Sequence, residues 1–392
     1  MGGTVSRTVT VLGSTGSVGV NTVDLIERHN ASAPGSYRVT ALTAKANVRE
    51  LAAQVRRLKP EFAAVAAPSA YGELKQELGG TGVRIAAGAE AVEEAAALSS
   101  DWVMASIMGA AGLQPTLAAV SRGAIVALAN KECLVCAGDL FMKEVARSGA
   151  TLLPVDSEHN AVFQVFDARQ TGAIERITLT ASGGPFRTWS AADMAKVTPA
   201  EACKHPNYAM GAKISVDSAT LMNKGLELIE AHHLFGTAPE RLGVVVHPQQ
   251  IVHCLVAYVD GSVLAQLGSP DMRTPIAYAL GFPDRIAAPT PRLDLAAIGQ
   301  LSFETPDLER FPCLGLAQAA LRARGAAPTI LNAANEIAVE AFLARKIGFS
   351  DIARIVESTM TREAQGRAPA SVGEALEIDA AARACATKLI SN

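Results

Sequence analysis

The sequence predicts an α/β protein with three parts: an N-terminal doubly wound, Rossmann-like parallel sheet, a second, α+β domain and a C-terminal α-helical bundle. Three observations lead to this prediction. Residues 1–150 alternate short apolar strands with amphipathic helices, residues 151–285 are rich in strands, and residues 313–392 show alanine-rich helical patterns. Alternation of strands and helices is typical of parallel sheets with right-handed crossovers.

The N-terminal part contains a series of short apolar runs that read as strands. Helical stretches such as "SVGVNTVDLIERH" and "NVRELAAQVRRL" lie between them, with apolar residues at helical spacing. The strands are predicted at residues 8–13, 38–43, 62–67, 83–87, 102–107 and 124–129.

The second part combines strands with one long helix. The strand candidates are "RITLTAS", "KISVDS", "LGVVVH", "IVHCLVAY" and "SVLAQLG", with a turn at the Asp260–Gly261 dipeptide between the last two. The helix candidate is "SATLMNKGLELIEAHHLF". Prolines such as Pro289, Pro291 and Pro306 indicate a connector over residues 286–312, after which the helical bundle begins.

Composition argues against nucleic-acid and membrane partners. The net charge is −3, so no general attraction to either surface is expected. No run of ~18 uncharged apolar residues and no signal-peptide pattern is visible, which predicts a cytoplasmic protein. The six cysteines are scattered and are expected to be reduced. Cys133 and Cys136 form one CxxC, but no second pair or nearby histidine completes a zinc site.

A glycine-rich turn joins the first strand to the first helix. The segment "VLGSTGSVG" places Gly13, Gly16 and Gly19 there, in a variant of the dinucleotide-binding spacing. Glycines let the backbone approach a pyrophosphate, and the start of the helix offers N–H groups and a positive dipole end. A tight turn without a ligand is the alternative.

Two polar segments at strand ends favour an NADP site. An NAD enzyme usually has an acid after the second strand for the ribose 2′-hydroxyl, whereas this chain has Lys45, Asn47 and Arg49, which suit a 2′-phosphate. The alternative is ordinary solvated charge at a helix start. The second segment is "LANKE", after the sixth strand. There Asn130 is expected to lie on the nicotinamide side and Lys131 to reach a phosphate. The alternative is a solvated loop.

Two carboxylates follow the apolar run that begins at Leu152. In an extended segment, residues two apart face one side, so Asp156 and Glu158 are expected to point together while His159 faces away. Oxygen ligands without cysteine predict Mg²⁺ or Mn²⁺. His159 is interpreted as a packing or hydrogen-bonding histidine.

A third metal ligand is expected on the long helix of the second part. Asn223 and Glu227 are four residues apart and share a helix face, with Lys224 beside them. An exposed Lys–Glu pair is the alternative. Ser218 either caps this helix or binds phosphate. Together with groups from two polar turns, these residues predict an anion pocket that comprises Ser182, His205, Ser218, Asn223 and Lys224.

Several motifs together resemble the 1-deoxy-D-xylulose 5-phosphate reductoisomerase family. In order they are "GSTGSVG", "ALANKE", "LLPVDSEHNA", "ASGGPF", "KHPNYAMGAKISVDSATLMNKGLELIEA", "VVHPQQIVH", "DGSVLAQLGSPDMRTPIAYAL" and "LNAANEIAVEAFL". The resemblance runs from about residue 8 to residue 390. "PVDSEHN" and "DSATLMNKGLE" are its most specific segments.

The resemblance implies an enzyme that makes 2-C-methyl-D-erythritol 4-phosphate from 1-deoxy-D-xylulose 5-phosphate with NADPH. This is the committed step of non-mevalonate isoprenoid biosynthesis. The implied divalent cation is Mg²⁺ or Mn²⁺, with Co²⁺ as a further candidate. The resemblance also implies a homodimer, with an N-terminal NADPH domain, a catalytic domain and a C-terminal helical domain.

The family's functional residues are carried over by motif. The implied metal ligands are Asp156, Glu158 and Glu227, which with Lys131 and His205 form the catalytic set. The implied substrate contacts are Lys131, Ser157, Glu158, Ser182, His205, Ser218, Asn223, Lys224 and Glu227. The implied cofactor contacts are Gly13, Thr15, Gly16, Ser17, Val18, Lys45, Asn47, Asn130, Lys131, Glu132, Gly211 and Met272.

The chain departs from the family pattern at two places. Tyr208 stands where the family's loop usually carries tryptophan, and its smaller ring bears on how tightly the loop covers the substrate. "TAKAN" replaces the commoner glycine-containing turn, which bears on the 2′-phosphate contacts.

Two other functions fit parts of the sequence. A metal-independent NADP dehydrogenase of the semialdehyde type would need a nucleophilic cysteine in a polar loop, but Cys133 and Cys136 lie in an apolar helical run. A sugar-phosphate or nucleotide sensor on a Rossmann scaffold would have no use for three carboxylates around a metal. Cation- and substrate-dependent NADPH oxidation separates these functions.

Overall fold

The computed structural model describes residues 6–204, 211–363 and 366–391. These residues form two compact units. The first comprises residues 6–133, 143–160 and 272–290, and the second comprises the other described residues. The predicted domain boundaries after residues 150, 285 and 312 stay predictions.

The strands and helices are numbered in chain order. The strands are β1 (Arg7–Leu12), β2 (Tyr37–Ala44), β3 (Phe62–Val65), β4 (Arg84–Ala87), β5 (Trp102–Ala105), β6 (Ile125–Leu128), β7 (Thr151–Pro154), β8 (Ile174–Ala181), β9 (Leu242–Val246), β10 (Val252–Tyr258) and β11 (Val263–Leu267). The helices are α1 (Ser17–Ser32), α2 (Val48–Leu58), α3 (Tyr71–Glu77), α4 (Ala89–Ala97), α5 (Leu113–Ser121), α6 (Glu132–Ser148), α7 (Ser157–Val165), α8 (Ala191–Met194), α9 (Pro199–Ala202), α10 (Ala212–Ala219), α11 (Met222–Phe235), α12 (Arg273–Gly281), α13 (Leu295–Ile298), α14 (Pro312–Ala323), α15 (Ala327–Leu343), α16 (Asp351–Arg362) and α17 (Val372–Ser391).

The first unit contains a seven-stranded parallel sheet in the order β4-β3-β2-β1-β5-β6-β7. The doubly wound sheet predicted from the sequence is therefore confirmed. The strand order reverses at β1, which is where open α/β sheets bind ligands outside the carboxyl ends of their strands. The apolar run at Leu152 forms β7 and pairs with β6, with Leu128 opposite Pro154.

Helix α12 belongs to this first unit although it lies far along the chain. Its backbone carbonyls accept hydrogen bonds from side chains of three strands of the sheet. Arg7 donates to the carbonyl of Leu280 over 2.6 Å, and the Trp102 indole donates to that of Ala279 over 3.0 Å. Tyr37 also donates to Leu280, over 3.3 Å. The sequence analysis did not predict this packing.

The second unit contains a four-stranded sheet in the order β11-β10-β8-β9. Four of the five predicted strands are confirmed, and the turn between β10 and β11 contains Gly261 at φ +86°. The fifth prediction is wrong, because "KISVDS" lies in helix α10. An i,i+4 ion pair between Lys213 and Asp217 (3.0 Å) supports this helix.

The C-terminal helical prediction is confirmed by α14, α15, α16 and α17. These helices share one apolar core with α11 of the same unit. Gly225 of α11 permits close approach to α14, since a Cβ there would lie 2.3 Å from the Cβ of Ala317. Among the described helices, none combines the length and apolar character that crossing a membrane requires.

Candidate active site

The glycine turn between β1 and α1 is a compact, backbone-lined surface. Gly13 adopts φ +81°, and a Cβ at Gly19 would lie only 2.2 Å from the Gly13 carbonyl oxygen. Thr43 anchors the turn: its hydroxyl accepts from the Gly13 N–H (3.0 Å) and its carbonyl accepts from the Ser14 N–H (2.8 Å). The turn and the start of α1 are thus packed tightly against the end of β2.

The start of α1 suits an anionic group. Gly16 is the N-cap and no side chain caps the first turn of the helix. Gly16 and Ser17 are exposed, while Thr15 and Val18 are half-buried. Uncapped N–H groups at the positive end of a 16-residue helix are the usual partners of a pyrophosphate.

The segment after β2 is exposed and begins helix α2. Lys45, Asn47 and Arg49 are all exposed. The Asn47 side chain accepts a hydrogen bond from the Glu50 N–H over 3.3 Å and so caps α2. This cap agrees with the alternative interpretation of the segment as an ordinary helix start. The predicted contacts with a 2′-phosphate stay predictions.

The polar run after β6 is buried, so its interpretation as a solvated loop is wrong. Asn130, Lys131 and Glu132 are 1%, 6% and 8% exposed. Asn130 donates to the Gly109 carbonyl (3.0 Å) and accepts from the Glu132 N–H (3.1 Å). The Lys131 Nζ lies 2.5 Å from an oxygen of Asp156. Burial of a lysine next to a carboxylate keeps both charges in a region of low dielectric.

The carboxylates after β7 lie at the start of a helix. The prediction of an extended segment is wrong, because α7 begins at Ser157 and the Asp156 carbonyl accepts from the Asn160 N–H over 2.8 Å. Carboxylate oxygens of Asp156 and Glu158 nevertheless lie within 4.8 Å of each other. The Ser157 hydroxyl donates to Glu158 over 2.7 Å. The helix start therefore brings the two acids together.

The sequence analysis missed the ion pair between Lys131 and Asp156. A signal for it was present, because β6 and β7 are consecutive parallel strands that both end in polar runs. Neighbouring parallel strands in register bring their carboxyl ends to the same sheet edge. That Lys131 reaches a phosphate stays a prediction.

In the second unit, α11 holds a buried carboxylate between two donors. Asn223 donates to one oxygen of Glu227 over 2.6 Å, and Lys224 lies 2.5 Å from the other. The side chains of Lys224 and Glu227 are 5% and 1% exposed, so the exposed-pair alternative is wrong. Leu221, at φ +61°, separates α10 from α11 and divides the single helix that was predicted.

Two predicted phosphate contacts lie near each other in the second unit. Ser182 is buried after β8 and accepts from the Gly184 N–H over 3.1 Å. A Cβ at Gly184 would lie 2.8 Å from the Ser218 carbonyl oxygen, so this turn packs on the end of α10. Ser218 lies inside α10 and does not cap α11, whose N-cap is Leu221.

The remaining predicted residues are on other segments. Gly211 is the N-cap of α10, and Met272 is the half-buried N-cap of α12. His205 and Tyr208 lie outside the described residues. The isolated CxxC forms no disulfide, and both Cys133 and Cys136 are buried.

A doubly wound sheet with an uncapped glycine turn, and acids paired with buried lysines, defines a Rossmann-type enzyme of metal-assisted chemistry. Family profiles identify it further. Residues 9–138 match the 1-deoxy-D-xylulose 5-phosphate reductoisomerase profile, residues 152–235 match that enzyme's C-terminal domain profile, and residues 267–385 match the DXP reductoisomerase C-terminal domain profile. The chain belongs to the 1-deoxy-D-xylulose 5-phosphate reductoisomerase family.

Relatives with this name align along nearly the whole chain. The 1-deoxy-D-xylulose 5-phosphate reductoisomerase of Rhodospirillum centenum is 65% identical over 359 residues, which cover 92% of this chain and 88% of the relative. The Nitrobacter hamburgensis enzyme is 56% identical over 387 residues, 98% of this chain and 94% of the relative.

Solved structures agree with this fold. The Zymomonas mobilis enzyme in complex with NADPH has a TM-score of 0.93 and 52% identity, covering 99% of this chain and 100% of that one. A DOX-P reductoisomerase in complex with NADPH, fosmidomycin and magnesium has a TM-score of 0.92 and 44% identity, covering 98% of each chain.

Proposed function

We propose that this chain catalyses the NADPH- and divalent-metal-dependent rearrangement and reduction of 1-deoxy-D-xylulose 5-phosphate to 2-C-methyl-D-erythritol 4-phosphate. The observation that carries the proposal is the ion pair of buried Lys131 with half-buried Asp156, beside Glu158, at the carboxyl edge of a sheet with a dinucleotide-type turn. Family membership and the relatives' names give the substrate and product.

The glycine turn fits a dinucleotide. Its backbone is open at Gly16 and Ser17, and a side chain at Gly19 would destroy the turn. The proposed cofactor residues are Gly13, Thr15, Gly16, Ser17, Val18, Lys45, Asn47, Asn130, Lys131, Glu132, Gly211 and Met272. NADPH supplies the hydride, and these residues bind and orient it. The Zymomonas mobilis complex with NADPH supports this assignment.

A hard cation is proposed to bind three acids. Asp156, Glu158 and Glu227 offer carboxylate oxygens without cysteine, which suits Mg²⁺ or Mn²⁺, with Co²⁺ as a further candidate. When bound, such a cation polarises a carbonyl and stabilises negative charge on neighbouring oxygens. Lys131 and Lys224 lie against two of these acids and balance their charge. A related structure that contains magnesium supports the site.

The substrate phosphate is assigned to the polar groups of the second unit. Ser182 and Ser218 supply hydroxyls, Asn223 an amide and Lys224 a positive charge, and the sequence adds His205. A phosphate fixed by charge-assisted hydrogen bonds orients the reacting end of the sugar, which raises the effective concentration of the reacting groups. Ser157 and Glu158 are proposed to contact that end.

The proposed assembly is a homodimer. Strand β11 is an edge strand that exposes Val263, Leu264 and Leu267. Exposed apolar edge strands readily pair with another chain. The proposed location is the cytoplasm, because none of the six cysteines, all of them in the described residues, forms a disulfide, as is usual in a reducing compartment.

The experiment that tests the function is NADPH oxidation by the purified chain. We expect oxidation only when 1-deoxy-D-xylulose 5-phosphate and Mg²⁺ or Mn²⁺ are both present, and none after chelation. Oxidation that persists with chelator would favour a metal-independent dehydrogenase. Binding of NADPH and sugar phosphate without turnover would favour a sensor, and either result would refute the proposal.

A further inference from the structure

We propose that Asn335 is a positioning residue for the substrate phosphate, acting through Asp217 of α10. The inference rests on the proposed function, in which Ser218 of α10 contacts that phosphate. Asn335 comes from the motif "LNAANE", to which the proposed site assigns no role. It lies on α15, in the same unit as α10.

Asp217 connects α10 to α15 through one of its oxygens, and its other oxygen forms an ion pair within α10. Asn335 donates from Nδ2 to one oxygen over 2.7 Å, and the Lys213 Nζ lies 3.0 Å from the other. Asn335 and Asp217 are 0% and 1% exposed. Hydrogen bonds to a buried carboxylate are short and directional, so this arrangement permits little movement of α10 against α15.

Packing alone does not account for an asparagine at this position. A leucine would fill nearly the same volume in an alanine-rich helix and would bury no polar group. The Oδ1 of Asn335 accepts no hydrogen bond from any residue that the structure describes, and a buried acceptor without a donor costs free energy. The amide group therefore has a role other than filling the core. Among the described residues, its side-chain hydrogen-bond partner is Asp217.

Fixing Asp217 fixes the rotation of α10 about its axis. Successive residues of a helix lie about 100° apart around the axis, so Ser218 faces a different neighbour from Asp217. That neighbour is the turn after Ser182, whose Gly184 lies against the Ser218 carbonyl. A small rotation of α10 would move Ser218 relative to Ser182, its proposed partner in binding phosphate.

The same carboxylate stabilises the first turn of α10. Lys213 is the second residue of that helix, where a positive charge opposes the positive end of the helix dipole. Asp217, one turn further, supplies the opposite charge. Asn335 thus holds Asp217, the residue that pairs with Lys213 in the first turn of α10.

The test uses steady-state kinetics of the full chain. We expect Asn335→Leu to raise the KM for 1-deoxy-D-xylulose 5-phosphate about tenfold while kcat and the KM for NADPH change less than about twofold. A rise in KM alone is the pattern expected when substrate binding is lost without loss of chemistry. The exchanged pair Asp217→Asn with Asn335→Asp keeps an amide and a carboxylate in contact, and we expect it to restore the substrate KM to within about threefold.

Asn332→Leu is the matched control. Asn332 lies one turn earlier on α15, is also 0% exposed, and donates to Glu336 (3.2 Å) and to the Cys136 sulfur (3.6 Å). We expect its substrate KM to stay within about twofold of the unsubstituted chain. Three outcomes would overturn the inference. The substrate KM could be unchanged in Asn335→Leu, or it could rise equally in Asn332→Leu. The exchanged pair could also have a substrate KM as high as that of Asn335→Leu. An unsubstituted chain without substrate-dependent NADPH oxidation would instead refute the proposed function.

Discussion

Glu227 is an acid that the fold holds between two donors at a position with almost no solvent. Asn223 and Lys224 hold its two oxygens, and the side chain is 1% exposed. We expect Glu227→Gln to reduce metal-dependent turnover by roughly 100-fold or more, because a neutral amide is a poor ligand for a hard cation. NADPH affinity should change little. Turnover across a Mg²⁺ titration and NADPH fluorescence measure the two effects.

Glu230→Gln provides the matched control for this prediction. Glu230 lies three residues further along α11 and is also 1% exposed. It is an alternative carboxylate on the same helix. Loss of metal dependence in Glu230→Gln, with normal turnover in Glu227→Gln, would move the ligand assignment from Glu227 to Glu230.

His233 makes stability depend on pH. Burial, then the positive charge of neighbouring His232 and Arg324, lower its pKa to about 4, although Asp139 opposes the shift. The unfolded value is about 6.5, so between the two values the unfolded chain binds more protons and stability falls as pH is lowered. We expect this group to cost roughly 2 kcal/mol between pH 7 and pH 5.

Urea unfolding at both pH values tests this expectation. The comparison is with His233→Phe, which keeps a ring against Gly138, where a Cβ would lie 2.3 Å from the histidine ring. The variant should lose less stability than the unsubstituted chain over the same interval. Equal losses in the two proteins would contradict a neutral, buried His233.

At the scale of elements, periodicity predicted the strands well and failed at particular helices. Apolar runs such as residues 62–67 formed strands because a parallel sheet buries both faces. "KISVDS" has the β-branched residues of a strand, but Ile214 and Val216 lie in α10. Its packing on α15, with the Lys213–Asp217 pair, overrides local preference.

The candidate site was predictable by residue type and less so by geometry. Asp156 and Glu158 were identified from their position after a strand, but alternation along an extended chain was the wrong reason for their proximity. The partner of Asp156 could not be read from local sequence, because Lys131 lies 25 positions earlier and meets it only through strand pairing. A local sequence pattern does not show which distant residues form an ion pair through strand pairing.

The first turn of α1 allows a direct test of the glycine pattern. We expect Gly19→Ala to weaken NADPH binding at least tenfold and to lower the melting temperature, because the new Cβ would meet backbone atoms at 2.2–2.6 Å. Gly72→Ala is the control: Gly72 also lies in a helix, and nothing lies within 4 Å of its added Cβ. That change should leave NADPH binding unaltered and add up to about 1 kcal/mol of stability. Equal NADPH affinity in both variants would contradict the tight-turn argument.

For the whole molecule, the proposed homodimer depends on the exposed edge of the second sheet. We expect Val263→Lys with Leu264→Lys to convert the dimer to a monomer, since a charge on an edge strand disfavours pairing with another chain and both copies carry the change. Leu295→Lys, at an apolar side chain 56% exposed on α13, should leave the dimer intact. Sedimentation equilibrium distinguishes these outcomes. A dimer that survives the double substitution would place the interface elsewhere.

The packing of α12 against the first sheet has a consequence for synthesis on the ribosome. The strands β1 to β7 emerge early, but the helix that receives hydrogen bonds from Arg7, Tyr37 and Trp102 follows more than a hundred residues after Asn160. At elongation rates of about 5–20 residues per second, this interval lasts roughly 6–20 s. During that time the nascent sheet lacks a layer of its core, and its apolar surface is the part of the growing chain that a chaperone would shield.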